Sequence, residues 1–154
     1  MNLPNILIVG SAKSGTTSLH NYLNQHPDIF MCNPKEPHFL INKDIGFGRI
    51  PRGVSNYDDY KDLFKTSKKV IYKGESSVMY LTYPELSIQN IKKYLSEDVK
   101  IIIMLRNPVE RAYSGYHHVK RYSSQEKLSF KEALVVSEER YYSKDLEKGF
   151  DKNV

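Results

Sequence analysis

The chain has 154 residues, enough for a real core, and reads as a single domain spanning residues 1–154. Its 23 basic and 18 acidic residues leave a net charge of +5, a balance that favours an anionic partner. One cysteine, Cys32, excludes a disulfide framework and a thiol-rich metal site and points to a reducing compartment. No apolar run approaches the ~20 residues a membrane span needs, and residues 6–9 are too short, and lack the basic leader, for a signal peptide. A cytoplasmic location is therefore expected. The 12 tyrosines read as half-buried helix faces rather than a base-stacking surface, and no nucleic-acid partner is expected.

In chain order, Ile6, Leu7, Ile8 and Val9 form a short apolar run closed by Gly10, the mark of a buried parallel strand. Residues 16–26 follow as a helix with Leu19, Tyr22, Leu23 and His26 inward, stopped by Pro27. Residues 29–31 read as a second short strand, 33–37 as a proline-stiffened loop and 46–53 as an irregular stretch. Ser55 or Asn56 caps a helix that turns Tyr57, Tyr60, Leu63 and Phe64 inward. Residues 69–74 read as a strand, and Pro84 opens a helix carrying Ile88, Ile91, Tyr94 and Leu95. Residues 99–105 are the strongest strand pattern. A helix after Pro108 presents Val109, Ala112, Tyr113, Tyr116 and Val119, and Ser129 with Glu132 forms a capping box for a last helix through Ser137. Strand alternating with helix implies an α/β fold, a small parallel sheet flanked by helices on both faces. No further strand is expected near the C-terminus.

Three segments carry chemistry. Gly10-Ser11-Ala12-Lys13-Ser14-Gly15-Thr16-Thr17 joins the first strand to the first helix. Small residues let the backbone approach an anion, and successive N–H groups with the helix N-terminus point at it. The nucleoside triphosphate version places lysine after the second glycine. Here Thr16 stands there and the cation is Lys13, inside the loop, so a different anion is expected. Arg106 lies at the carboxyl end of the strongest strand, where ligands bind in open α/β sheets, and Ser114 follows about two turns into the next helix. A guanidinium with a hydroxyl suits a phosphate monoester. Arg106 alone could instead be one half of a salt bridge, and Arg111 either joins the site or pairs with Glu110 or Glu97. Finally, Glu36 and His38 sit in the stiffened loop after the second strand, where either could take a proton from an acceptor.

Together these segments resemble the sulfotransferases that use 3′-phosphoadenosine 5′-phosphosulfate (PAPS), in particular the glycan O- and N-sulfotransferases and their bacterial relatives. The resemblance covers about residues 5–122. It implies a P-loop-like sulfotransferase fold and a transfer that leaves adenosine 3′,5′-bisphosphate (PAP) as product. Residues 10–19 are similar to the 5′-phosphosulfate loop, which makes Ser11, Lys13, Ser14, Gly15, Thr16 and Thr17 donor-binding residues. Lys13 would also stabilise charge on the leaving oxygen. Lys35-Glu36-Pro37-His38-Phe39 is similar to the segment whose glutamate is the general base, which points to Glu36, with His38 beside it. Arg106 and Ser114 match the 3′-phosphate pair. Residues 74–81 resemble the segment lining the substrate cleft, although many glycan enzymes carry a lysine at the position of Ser76 and bacterial relatives often have proline at that of Val78. Members of the family are longer and close a Gly- and basic-rich C-terminal loop over the nucleotide. No counterpart is found here, so the chain resembles the N-terminal part of such an enzyme.

The expected function is thus sulfuryl transfer to a hydroxyl or amine on a small-molecule or glycan acceptor, with no metal required. Two alternatives remain: a non-catalytic PAPS- or PAP-binding fragment, and a P-loop nucleotide kinase or NTPase. The kinase reading lacks a lysine after the second glycine and an acidic magnesium ligand at the end of strand 99–105.

Overall fold

The structure, a computed structural model, describes residues 3–46, 50, 52–96, 98–122 and 126–142. The chain divides into two compact units, Met1–Leu105 and Arg106–Val154.

The first unit is a four-stranded parallel sheet with helices. In chain order it runs β1 (Ile6–Gly10), α1 (Thr16–Leu23), β2 (Ile29–Met31), α2 (Phe39–Ile45), α3 (Tyr57–Asp62), β3 (Tyr72–Ser76), a 3-10 helix (Val78–Leu81), α4 (Pro84–Tyr94) and β4 (Lys100–Ile103). The strand order is β2-β3-β1-β4, with every pairing parallel. Strand β1 is central and buried along its whole length, as its continuous apolar run requires. Its pairing with β3 sets Leu7 beside Glu75 and Ile8 beside Ser76. Paired residues share a face, so Glu75 faces the main core while Ser76 faces α1 on the other side.

That core gathers Leu7, Val9, Phe39, Leu40, Ile41, Tyr60, Phe64 and Tyr80. Its centre is aromatic: Phe39 stacks on Tyr60 with ring centroids 4.2 Å apart, and Phe64 meets Tyr60 edge-on at 5.2 Å. Asn56 caps α3 as expected, its side chain accepting from the amides of Asp58 and Asp59.

Several elements depart from expectation. Helix α1 ends at Leu23. Tyr22 is 69% exposed and His26 is also exposed, while Thr16 and His20 are buried in their place. An apolar count could not find His20, because its partner lies in β3. In α4, Ile88 points out, and Ser87 and Asn90 point in, donating to the carbonyls of Tyr80 and Leu40. Strand β3 begins at Tyr72, not residue 69, and continues through the polar Glu75 and Ser76. Strand β4, expected over residues 99–105, is four residues long, Lys100–Ile103, and pairs with β1, with Ile101 and Ile103 about half exposed. Helix α2 was not foreseen. Within the stretch 46–53, residues 47–49 and 51 lie outside the described residues, as does everything from 143 onward.

The second unit consists of α5 (Pro108–Tyr122), α6 (Phe130–Val135) and α7 (Ser137–Tyr142). The Asn107 side chain accepts from the amides of Val109 and Glu110 and so starts α5, with Pro108 in its first turn. Phe130 packs on Tyr113 and Tyr116, and Tyr116 donates to the Leu128 carbonyl at 2.9 Å. Val109 and Tyr113 are exposed rather than inward. The expected capping box of Ser129 and Glu132 is present, but the last helix breaks at Val136, where the Ser137 hydroxyl donates to the Leu134 carbonyl.

Gly10 has φ 148°, and a Cβ there would stand 2.9 Å from the Leu81 Cβ and 3.1 Å from the Val78 carbonyl oxygen. Gly10→Ala is expected to cost about 1–3 kcal/mol in urea unfolding, through strain and overpacking. An unchanged midpoint would contradict this close approach.

Candidate active site

Parallel strands place the loops that follow β1, β2 and β3 at one edge of the first unit. The loop after β1 turns sharply into α1. Its backbone bonds to the sheet end, with the Ser11 amide donating to the Met104 carbonyl at 2.8 Å and the Met104 amide to the Gly10 carbonyl at 2.7 Å. The Ser11 and Ser14 hydroxyls lie 2.7 Å apart. Gly15, at φ 90°, occupies the cap position of α1, and no side chain caps this helix. The first amides of a helix have no carbonyl partner within it, so the N–H groups of Thr16 and Thr17 are offered where an anion would sit. Ser14 and Thr16 are buried, and Lys13 is partly exposed.

The loop after β2 carries Glu36 and His38. The Glu36 amide donates to the Ser76 carbonyl at 3.0 Å. Its carboxylate is 40% exposed and accepts from the Lys35 ammonium, while the His38 Nε2 stands 3.9 Å from its other oxygen. His38 is buried, and among the described residues its Nδ1 has no hydrogen-bond partner. Burial, above all, holds its pKa down at about 4; the Glu36 charge opposes this and the Lys35 charge adds to it. His38 is therefore a neutral imidazole near pH 7, while the Glu36 carboxylate stays partly open to solvent. Among the described residues, three non-glycine residues have positive φ: Lys13 at 64°, Glu36 at 65° and His38 at 50°. Such backbone persists only where the surroundings enforce it, and it concentrates at functional sites.

Ser76 ties the two loops' supports together. Its hydroxyl bonds the His20 Nδ1 of α1 at 2.8 Å, and its carbonyl holds Glu36. Burial first, then the Lys35 charge, lowers the His20 pKa. Ser76, at the position where many glycan enzymes are expected to carry a lysine, is thus a buried serine committed to a buried histidine. Of the segment expected to line a cleft, Glu75, Ser76, Ser77 and Tyr80 are closed off from solvent and support the edge from behind, with Val78, Met79 and Leu81 partly exposed.

Arg106 and Ser114 belong to the second unit. The Arg106 Nε donates to the Glu110 carboxylate at 3.1 Å, an exposed pair one helical turn apart, so Glu110 bonds Arg106. Ser114 is half-buried on α5. Among the described residues no cluster of three His, Cys, Asp or Glu side chains could hold a metal ion, and no helix is long and apolar enough to cross a membrane.

The sulfotransferase domain family matches residues 3–144. A crystal structure of a sulfotransferase from Alicyclobacillus acidocaldarius superposes on 97% of this chain and 64% of its own, with a TM-score of 0.79 and 39% identity. Mouse carbohydrate sulfotransferase 15 is 30% identical over 150 residues, covering 74% of this chain and 27% of the relative. Human bifunctional heparan sulfate N-deacetylase/N-sulfotransferase 2 is 31% identical over 137 residues, covering 88% of this chain and 15% of the relative. The chain thus spans about a quarter or less of the length of these two curated relatives.

The His38 environment has a pH signature. Its folded pKa of about 4 lies below the ordinary 6.5, so between those values the unfolded chain binds more protons. The stability tied to neutral His38 is complete above pH ~6.5 and is lost as pH falls toward 4, by about 3 kcal/mol at most. An NMR titration of the His38 ring is expected to show a midpoint near 4; a midpoint at or above the ordinary value would contradict the buried, neutral imidazole.

Proposed function

The chain belongs to the sulfotransferase family, and we propose that it transfers a sulfuryl group from PAPS to a hydroxyl or amine of a glycan acceptor. The observation that carries this reading is the coincidence of strained backbone with chemistry: Lys13, Glu36 and His38 hold left-handed conformations on loops at one sheet edge. The glycan class is supported by the names of the carbohydrate and heparan sulfate relatives.

The β1–α1 turn fits the phosphosulfate end of the donor. Its amides at Gly15, Thr16 and Thr17, the hydroxyls of Ser11 and Ser14 and the Lys13 ammonium supply donors and positive charge without a side-chain cap competing for them. In the reaction the acceptor oxygen or nitrogen forms a bond to sulfur as the bond from sulfur to the 5′-phosphate oxygen breaks. Glu36 takes the acceptor proton, and the departing electron pair rests on the phosphate oxygen, where Lys13 and the loop amides stabilise it. Neutral His38 backs the Glu36 carboxylate without a competing proton. Arg106 and Ser114 take the 3′-phosphate, a task in which the phosphate replaces Glu110 as the guanidinium's partner. The reading includes one domain over the chain and a cytoplasmic setting, supported by Cys32, a free and buried thiol.

The test is sulfate transfer from PAPS to de-N-sulfated heparan sulfate, beside calorimetry with PAP. Glu36→Gln is expected to lower kcat by about 100-fold or more, with PAP affinity within about twofold. Undiminished turnover would remove Glu36 as the base. Arg106→Ala is expected to weaken PAP binding by about tenfold or more, and equal affinity would remove its phosphate role. Wild-type binding of PAP without any transfer would favour a non-catalytic nucleotide-binding protein.

A further inference from the structure

Glu75 is a fully buried carboxylate inside the core. It accepts three hydroxyl protons, from Tyr60 at 2.5 Å, from Ser77 at 2.6 Å and from Tyr80 at 2.9 Å. Two of those hydroxyls also accept backbone amides. The Ser77 oxygen accepts from the His38 N–H at 3.0 Å, and the Tyr80 oxygen accepts from the Leu40 N–H at 3.3 Å. A hydroxyl has one proton to give. Because Ser77 and Tyr80 spend theirs on Glu75, their lone pairs face the amides. The carboxylate thus sets the direction of both chains of hydrogen bonds.

The amides concerned lie at the start of α2, where no intrahelical partner exists and the side chain of the N-cap residue, His38, makes no capping bond. Negative charge near a helix N-terminus is favourable, and here it is delivered through two hydroxyls. The same stretch has left-handed backbone at Glu36 and His38. Three alternate amides, of residues 36, 38 and 40, are pinned to the segment 76–80, and two of the three pins run through Glu75.

The geometry points to Glu75 as the positioning residue of the Glu36 turn: through Ser77 and Tyr80 it clamps residues 38–40 and so holds the base in its strained conformation. The clamp stands on geometry alone; its consequence for turnover rests on the reading of Glu36 as the base. The third partner, Tyr60, provides an internal control. Its hydroxyl donates to Glu75 and, among the described residues, accepts no amide of the turn, and its ring belongs to the core stack whether or not the hydroxyl is there.

Amide hydrogen exchange on the 154-residue chain decides the matter. Ser77→Ala and Tyr80→Phe are expected to speed exchange at the His38 and Leu40 amides respectively by about tenfold or more. They should also lower kcat with PAPS and de-N-sulfated heparan sulfate by about tenfold, leaving KM for PAPS within about twofold. Tyr60→Phe, which removes one bond from the same carboxylate, should move the melting temperature but neither the exchange at His38 and Leu40 nor kcat. The proposal is overturned if Tyr60→Phe reproduces the effects of the other two, since Glu75 would then serve the core only, or if Ser77→Ala leaves the His38 amide protected. Should the exchange pattern hold while Glu36→Gln retains full turnover, the clamp stands and the base assignment alone falls.

Discussion

Strand β1 is hydrogen-bonded on both sides, to β3 and to β4, runs in the same direction as each, and has Leu7 and Ile8 wholly shut off from water on its two faces. Parallel pairing of this kind allows no tight turn between neighbours, so each strand must end in a loop that crosses to a helix. The loops carrying Lys13 and Glu36 therefore open at the same edge of the first unit, although the residues are 23 apart in sequence. Gly10 and Gly15 let the first loop turn within a few residues, and the close approach of Leu81 to Gly10 leaves no room for a side chain there.

Polar burial is the second constraint. Glu75 and Ser76 are neighbours on β3 and point to opposite faces. One faces the aromatic core and meets three hydroxyls; the other faces α1 and meets His20. A buried carboxylate is costly unless its acceptors are filled, and burial does raise the Glu75 pKa against the pull of its three donors. Burial likewise keeps the Tyr60 and Tyr80 phenols protonated, so they remain donors. The Glu75 and Ser76 side chains behind the candidate site are thus partnered, while the groups that would meet a ligand, Glu36 and the first amides of α1, stand at its open side.

Much of this was legible from residue order. The run at residues 6–9, the glycine-bounded turn, the Asn56 cap, Pro84 and the Ser129–Glu132 box each act through neighbours within a few residues, and each marks the element it predicts. What escaped depends on partners far away in the chain. His20 is buried because of Ser76, Asn90 because of the Leu40 carbonyl and Glu75 because of Tyr60 and Tyr80. A hydropathy pattern scores all of them as surface. The motifs single out Lys13 and Glu36 as candidates, but nothing in residue order marks the left-handed backbone on which both sit.

The central claim is that the turn between β1 and α1 seats the phosphorylated end of an adenosine donor. The most direct measurement is a two-dimensional amide NMR titration of the chain with PAP, followed by the same titration with adenosine. Saturable shifts centred on the amides of residues 13–18 with PAP, and none there with adenosine, are the expected result. Shifts that bypass those amides, or that adenosine reproduces, would contradict it.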